Sequence, residues 1–496
     1  MKNKTIQLHP RDNVIVALQD LQPGETVVLG NKTLMVNEVV KRGHKIATED
    51  ISENTNIIKY GSPIGHATQS ISKGSWVHTH NVSTNLSGKI EYEYNPELNP
   101  NIYPKESRTF KGYLRKNGKA GIRNDLYIIP TVGCINMIGD LIVEQFKQNH
   151  PDNGAFDEII LFKHPYGCSQ LGDDLENTQK ILIDAAKHPN AGGVLVFGLG
   201  CENNQLDEMK KQMGEFDEAR VKFMICQNVE DEVETGVRLL EELNDAAKND
   251  QRVDLPLSEL KIGLKCGGSD GFSGITGNPL LGRFSDYIVS QGGSTVLTEV
   301  PEMFGAEKVL LARAKNKDVF NKIVTLINNF KDYFASYGQP IYENPSPGNK
   351  AGGITTLEDK SLGCTQKAGT SAVVDVLEYG EKIKEKGLSL LQAPGNDLVS
   401  STALAAADCQ MVLFTTGRGT PFGTFVPTVK VSTNTQLYET KKQWIDFNAG
   451  QLLDKTMDEV AEQFIQFIIE VASGKKTKNE LRHIHDIAIF KNGVTE

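Results

Sequence analysis

Residues 125–136 read DLYIIPTVGCIN, residues 158–170 read EIILFKHPYGCSQ, and residues 194–204 read VLVFGLGCENN. Each begins as an apolar run of strand length and breaks at a glycine followed by a cysteine. An amide side chain stands two places beyond each cysteine. A fourth copy of that ending, GCTQ, occupies residues 363–366. Between the runs lie helical patterns such as MIGDLIVEQFKQ (137–148) and LENTQKILIDAAK (175–187). A further run, VKFMICQ (221–227), precedes EDEVETGVRLLEELNDAAK (230–248). Strands alternating with helices imply parallel βαβ units with right-handed crossovers. Ligands of such open sheets sit at the carboxyl ends of the strands. Cys134, Cys168 and Cys201 each stand at such an end, with Cys226 near a fourth.

The same pattern resumes beyond a polar, proline-containing break, AAKNDQRVDLPLSEL (246–260). There VLFTTGRGT (412–420) and TVKVSTN (428–434) read as buried strands, and DKTMDEVAEQFIQFIIEVASG (454–474) as an amphipathic helix. Residues 342–369 are rich in Gly and Pro and aperiodic, which makes them a candidate lid. Upstream, DNVIVAL (12–18) and ETVVL (25–29) are strand-like, with turns at QPGE and YGSPIG. The stretch SWVHTHNVST (75–84) alternates, which places His78 and His80 on one strand face. Pro96, Pro100 and Pro104 forbid a helix or central strand and mark a linker. The fold class expected is α/β multidomain. A small β-rich domain (1–92) and a linker (93–112) precede two α/β domains with largely parallel sheets (113–250 and 251–496).

A chain of 496 residues exceeds one ordinary core. A net charge of −10 argues against nucleic-acid or anionic-membrane partners. No signal-peptide pattern and no run of about 18 apolar residues occur, so the expected location is cytoplasmic. Seven cysteines in such a chain do not suggest a disulfide framework.

A dinucleotide loop needs Gly-x-Gly-x-x-Gly, and GLGCENN lacks the third glycine. GGSDGFSG lacks the Lys-Ser/Thr of a phosphate loop. A nicotinamide-dependent oxidoreductase is thereby disfavoured. Thiolates gathered at strand ends suit iron or zinc, and three protein ligands with one open position is a catalytic pattern. The bland alternative is small residues packed under loops. The imidazoles of His78 and His80 suit iron, manganese or zinc, or proton transfer. His164, beside Cys168, is a third imidazole. Arg115, Lys119 and Arg123 in LRKNGKAGIRND, and Arg418 in TTGRGTPFG, are candidate carboxylate grips. Asp270 and Ser273 lie in a polar glycine-rich loop suited to sugar hydroxyls or metal-bound water.

GYLRKNGKAGIRNDLYIIPTVGCIN (112–136), HPYGCSQ (164–170), LGCENNQ (199–205), KCGGSDGFSGITGNP (265–279), APGNDLVSSTALAAADCQMVLFTTGRGTPFG (393–423) and VHTHN (77–81) together resemble the altronate/galactarate dehydratase family. The resemblance covers nearly the whole chain. It implies a SAF-type N-terminal domain and loss of water from a small sugar acid to give a 2-keto-3-deoxy acid. It implies D-altronate going to 2-dehydro-3-deoxy-D-gluconate, with galactarate or a related acid as the alternative. It also implies a divalent metal, Fe2+ or Mn2+.

In such a reaction a cation stabilises the second charge that forms on the substrate carboxylate when the C2 proton leaves. The expected metal ligands or base are His78 and His80, with Arg123, Arg418, Asp270 and Ser273 holding substrate. An alternative places iron, or an iron–sulfur cluster, on Cys134, Cys168 and Cys201. A homodimer is the default assembly. A non-catalytic sugar-acid-binding protein is the reading from another class.

Overall fold

The N-terminal strands are short because turn residues interrupt every apolar run. In the computed structural model, which describes residues 3–30, 32–99 and 103–495, they form three small antiparallel sheets. The strand Val14–Ala17 illustrates the alternation. Val14 joins a core with Ile57 and Ile64, while Ile15 and Ala17 face a second core with Leu34 and Val36. The first of these cores also takes in Ala306 and Leu362 from the C-terminal region, so this domain is seated by apolar contact.

One local expectation fails here. The strand Trp76–Val77 stops before the histidines, and residues 78–81 form a turn. The Asn81 N–H donates to the His78 carbonyl (3.0 Å), and the His78 N–H donates to Asn81 Oδ1 (2.9 Å). The asparagine side chain supplies a local alternative to ladder pairing. His78 and His80 therefore do not owe their proximity to strand alternation.

From Thr84 to Arg108 the described residues hold no helix or strand, and the chain runs along the C-terminal domain. Tyr94 packs edge-on to Phe320, and the Glu97 N–H donates to the Ala312 carbonyl. The strand Thr109–Leu114 begins inside the expected linker and pairs antiparallel with Val253–Pro256.

The next domain carries a four-stranded parallel sheet in the order Ile159–Leu161, Asp125–Pro130, Ala191–Gly198, Val221–Ile225. The C-terminal sheet has seven parallel strands in the order Val373–Leu377, Leu388–Leu391, Ser294–Leu297, Lys261–Cys266, Met411–Thr416, Thr428–Ser432, Phe447–Asn448. Each sheet starts near its middle and reverses direction once. The reversal lies between Asp125–Pro130 and Ala191–Gly198 in the first, and between Lys261–Cys266 and Met411–Thr416 in the second. A crevice opens at the carboxyl ends of such switch points. The two sheets share one core, in which Tyr127 and Phe162 meet Leu404 and Phe425.

Two further expectations are corrected. Residues 342–369 are not a structureless lid. They hold the helices Pro347–Ala351 and Leu357–Cys364, started by Ser346 and Thr356 side chains that accept from backbone N–H groups. Most of the second helix is buried. Arg123 is not a substrate grip. It is fully buried and its five N–H donors are all engaged, by Glu480 and by the carbonyls of Ile122, Val471 and Lys475. Arg123 ties the central domain to the C-terminal one.

Candidate active site

The glycine-rich loops let two backbones meet. Gly353 has φ +100°, and a Cβ there would lie 2.3 Å from the Gly43 carbonyl of the N-terminal domain. Only glycine fits such an approach. The contact seats Lys45 and Lys59 on Asp359, and all three side chains are buried. Lys45 Nζ donates to Asp359 Oδ2 (2.8 Å) and to the Gly353 carbonyl (2.7 Å), and Lys59 Nζ donates to Asp359 Oδ1 (2.9 Å). Burial brings Lys45 down to about 8, against the pull of Asp359. Burial also opposes charge on Lys59, but Asp359 and Tyr60 hold it above the usual lysine range. Asp359 is itself buried, yet the two ammonium groups keep it ionised far below the usual carboxylate range. One carboxylate thus serves two lysines whose protons are held unequally. The apolar and helical patterns gave no sign of this triad, because Asp359 lies 300 or more residues from either lysine in the chain.

Around Trp76 gather three imidazoles: His44, with its centroid at 5.6 Å, His78 at 5.2 Å and His80 at 4.8 Å. His44 is committed to structure. Its Nδ1 accepts from the Trp76 indole N–H (3.1 Å), and its Nε2 faces the Ala351 carbonyl (3.3 Å). His78 is buried, and burial with the nearby Lys45 charge brings it down to about 3, so it is neutral. Its Nδ1 is buried without a hydrogen-bond partner. His80 is exposed.

Below this interface lies a buried polar cluster at the C-terminal sheet's switch point. Cys266, the last residue of its strand, and Cys364, the last of its helix, have Sγ atoms 3.4 Å apart. Glu302 Oε2 accepts from Cys364 (3.1 Å) and Cys266 (3.4 Å). These three are a group of potential ligand atoms all within 4.8 Å of one another, and among the described residues no other three His, Cys, Asp or Glu side chains converge so closely. Lys367 Nζ donates to Cys266 Sγ (2.7 Å) and Glu299 (2.8 Å), Lys360 pairs with Glu302 (2.8 Å), and Lys265 pairs with Glu299 and Asp397. Glu299 is held in a left-handed conformation (φ 70°) that costs a non-glycine residue about 1–3 kcal/mol and that its two lysine partners enforce.

Burial alone would raise Glu302, but Lys360, Lys265 and Lys367 hold it far below the usual range. The Cys266 sulfur, burial and Glu302 hold the Cys364 thiol well above the usual range. The three lysines balance Glu299, Glu302 and Asp397. Ionising both thiols adds two negative charges, which a divalent ion would neutralise. Two thiolates and a carboxylate are a donor set for a borderline or soft divalent ion. A cavity of about 10 Å³, room for a single water, joins Cys364 and Lys360 to Asp359, Lys59, Asp270 and Ser273.

Asp270 and Ser273 therefore line one cavity with Lys59, Asp359 and Cys364. Asp270 accepts from Ser273 Oγ (3.2 Å), the Phe272 N–H (3.1 Å), Thr433 Oγ1 (2.9 Å) and Asn434 Nδ2 (3.2 Å). Arg418, on the facing switch-point loop, is exposed and has one long bond to the Gly348 carbonyl (3.4 Å). Arg42 lies over the Phe272 ring at 4.5 Å.

Cys134, Cys168 and Cys201 are all exposed, at the carboxyl edge of the other sheet. The cysteine of the fourth motif, Cys364, stands instead at a buried helix end. His164 lines a cleft with Cys134 and Cys168, but both of its ring nitrogens are engaged by backbone groups. Its Nε2 faces the Pro130 carbonyl (2.8 Å) and its Nδ1 accepts from the Tyr166 N–H (3.2 Å). Among the described residues no helix is long and apolar enough to cross a membrane.

Comparison with known proteins agrees with this architecture. Residues 3–85 match the altronate/galactarate dehydratase SAF domain. Residues 112–248 match the D-galactarate dehydratase/altronate hydrolase second domain, and residues 257–495 the D-galactarate/altronate dehydratase C-terminal domain. The chain is 62% identical over 492 residues to the altronate dehydratase of Bacillus subtilis, covering 99% of each. It is 55% identical over 491 residues to the altronate dehydratase of Escherichia coli, again covering 99% of each. Identity to the galactarate dehydratase (L-threo-forming) of Escherichia coli is 33% over 519 residues, covering 98% of this chain and 96% of that one. The fold and the likeness define a hydro-lyase. The chain belongs to the altronate/galactarate dehydratase family.

Proposed function

We propose that this protein dehydrates D-altronate to 2-dehydro-3-deoxy-D-gluconate, with Fe2+, at the junction of its N- and C-terminal domains. The observation that carries the reading is identity over the full length, which is far higher to altronate dehydratases than to galactarate dehydratase. Cys266, Glu302 and Cys364 are the residues we assign to the metal. A divalent ion there supplies Lewis acidity toward the charge that develops on the substrate carboxylate.

The chain's own groups carry the proton transfers. Lys45, brought down to about 8, takes the C2 proton in its neutral form. Lys59, held charged by Asp359, donates to the departing C3 hydroxyl, which leaves as water. Two groups with pKa values driven apart is the arrangement that assigns base and acid. The enol left behind tautomerises to the ketone. Arg42 and Arg418 at the rim grip the substrate carboxylate and hydroxyls, and neutral His78 offers its unpartnered Nδ1 to a hydroxyl. Asp270 and Ser273 shape the loop between the two halves. The cavity is too small for a hexonate, so substrate enters with the N-terminal domain tilted away.

The test is a panel of hexonates and hexarates given to anaerobic, Fe2+-loaded protein, with keto-deoxy product as readout. D-Altronate should give the highest kcat/KM. A higher value for galactarate would overturn the substrate assignment, and saturable binding without product would overturn the enzymatic one.

A further inference from the structure

The recurring Gly-Cys-x-Asn/Gln endings do more than terminate strands, and the proposed dehydration site uses none of the first three. In the central sheet the strands preceding Cys168, Cys134 and Cys201 are consecutive neighbours, in that order. Adjacent strands lie about 4.8 Å apart. Cys134 and Cys201 flank the point where this sheet reverses direction, the position at which open α/β sheets bind their ligands.

The amides of the motif lace the three loops together. Asn136 Nδ2 donates to the His164 carbonyl (2.9 Å), which fixes the first loop to the second. The Ser169 N–H donates to Asn203 Oδ1 (2.8 Å) and the Asn204 N–H to the Gly167 carbonyl (2.9 Å), which fixes the second to the third. Asn204 Nδ2 donates to the Thr131 carbonyl (2.9 Å) and closes the ring. Gly167, at φ +99°, allows the closest of these approaches. The amides are consumed in holding the loops, and all three thiols are left outward. Gln227 Nε2 reaches Cys201 Sγ (3.7 Å), as a donor to a sulfur ligand would.

We propose that Cys134, Cys168 and Cys201 together ligate a cubane iron–sulfur cluster at the carboxyl edge of the central sheet. The spacing favours a cluster over a single ion. Two thiolates 2.3 Å from one tetrahedral ion stand about 3.8 Å apart, and these three sulfurs are not all within 4.8 Å of one another. In a cluster each thiolate binds a different iron, so the wider spacing is accommodated. Cys134 and Cys168 line one open cleft of about 550 Å³, which offers room for a cluster. The helix Asn136–Asn149 starts two residues beyond Cys134 with no acidic residue in its first turn. Three thiolates would leave one iron of the cluster without a cysteine ligand.

The test is anaerobic reconstitution with ferric and ferrous salts, sulfide and dithiothreitol, followed by desalting. Iron and acid-labile sulfide are then counted per chain, with visible absorbance as a second readout. Wild type should retain about four of each, as a cubane cluster requires. C134S, C168S and C201S should each lose the sulfide and the absorbance while keeping the wild-type circular dichroism. C364S, altered at the other metal-binding candidate, should keep the sulfide. Folded wild type that binds iron without sulfide, or sulfide that persists in all three variants, would overturn the proposal. The readout is independent of altronate turnover, so it stands or falls apart from the proposed function.

Discussion

Cys266 and Cys364, 98 residues apart in the chain, bring their sulfurs to 3.4 Å and share one Glu302 carboxylate oxygen. Three lysines surround them, yet their charge is already cancelled by Glu299, Glu302 and Asp397. Cobalt(II) added to anaerobic protein should therefore give thiolate-to-metal charge-transfer bands. C364S and C266S should weaken cobalt binding at least about tenfold, a lower bound set by losses seen when only an outer partner is removed. Competition against a chromophoric chelator measures this. Unchanged affinity in both variants would remove the ion from this site.

The unequal lysines predict a pH dependence. Lys45 titrates near 8 in the folded protein because burial disfavours its charge, against 10.5 when unperturbed. Neutral Lys45 is the active form, so kcat/KM should rise with pH through about 8, and Lys45→Met should abolish that limb. The stability sign follows from proton counts. Between pH 8 and 10.5 the unfolded chain binds more protons at this residue than the folded one. Lys45 therefore makes stability rise with pH across that window. Urea midpoints for wild type and Lys45→Met across that range test the second statement separately from the first.

Arg123→Ala leaves Glu480 buried without its partner. Removal of one member of such a pair costs about 3–5 kcal/mol. The urea midpoint should fall accordingly, with KM for substrate unchanged in the fraction that stays folded. A tenfold higher KM at unaltered stability would restore Arg123 to the substrate site.

Gly353→Ala puts a Cβ against the Gly43 carbonyl and in a left-handed conformation. It should loosen the N-terminal domain, expose residues 84–108 to limited proteolysis and lower kcat/KM. Gly338→Ala is the control, because Gly338 also has a positive φ (+64°) but no atom within 4 Å of its Cβ position. Equal effects of the two substitutions would show that backbone strain, not domain contact, is responsible.

The parallel sheets were legible in the sequence because buried strands of βαβ units are continuous apolar runs, as in YII at 127–129 and VLVF at 194–197. The His78–Asn81 turn was not, because alternation over a few residues cannot register that Asn81 folds back on the backbone. Residues 342–369 looked structureless because the helix Leu357–Cys364 is buried nearly all round and has no apolar stripe to betray it. Arg123 reads as a candidate substrate grip because its neighbours are polar and glycine-rich, and its partner Glu480 lies 357 residues away. The lysine triad and the Cys266–Glu302–Cys364 group share that cause. Lysine and glutamate patterns read as solvated surface until tertiary pairing buries them. The Gly-Cys-x-Asn/Gln spacing marks Cys134, Cys168 and Cys201, whereas Cys266 follows a lysine and lacks that pattern.

The most direct test is the rate of 2-dehydro-3-deoxy-D-gluconate formation from D-altronate by anaerobic, Fe2+-loaded wild type and Lys45→Met, measured side by side at pH 8. The account predicts product from wild type and a rate lower by about 10²–10⁴ in the variant, the usual contribution of a positioned base. No product from wild type, or an undiminished rate from Lys45→Met, would contradict it.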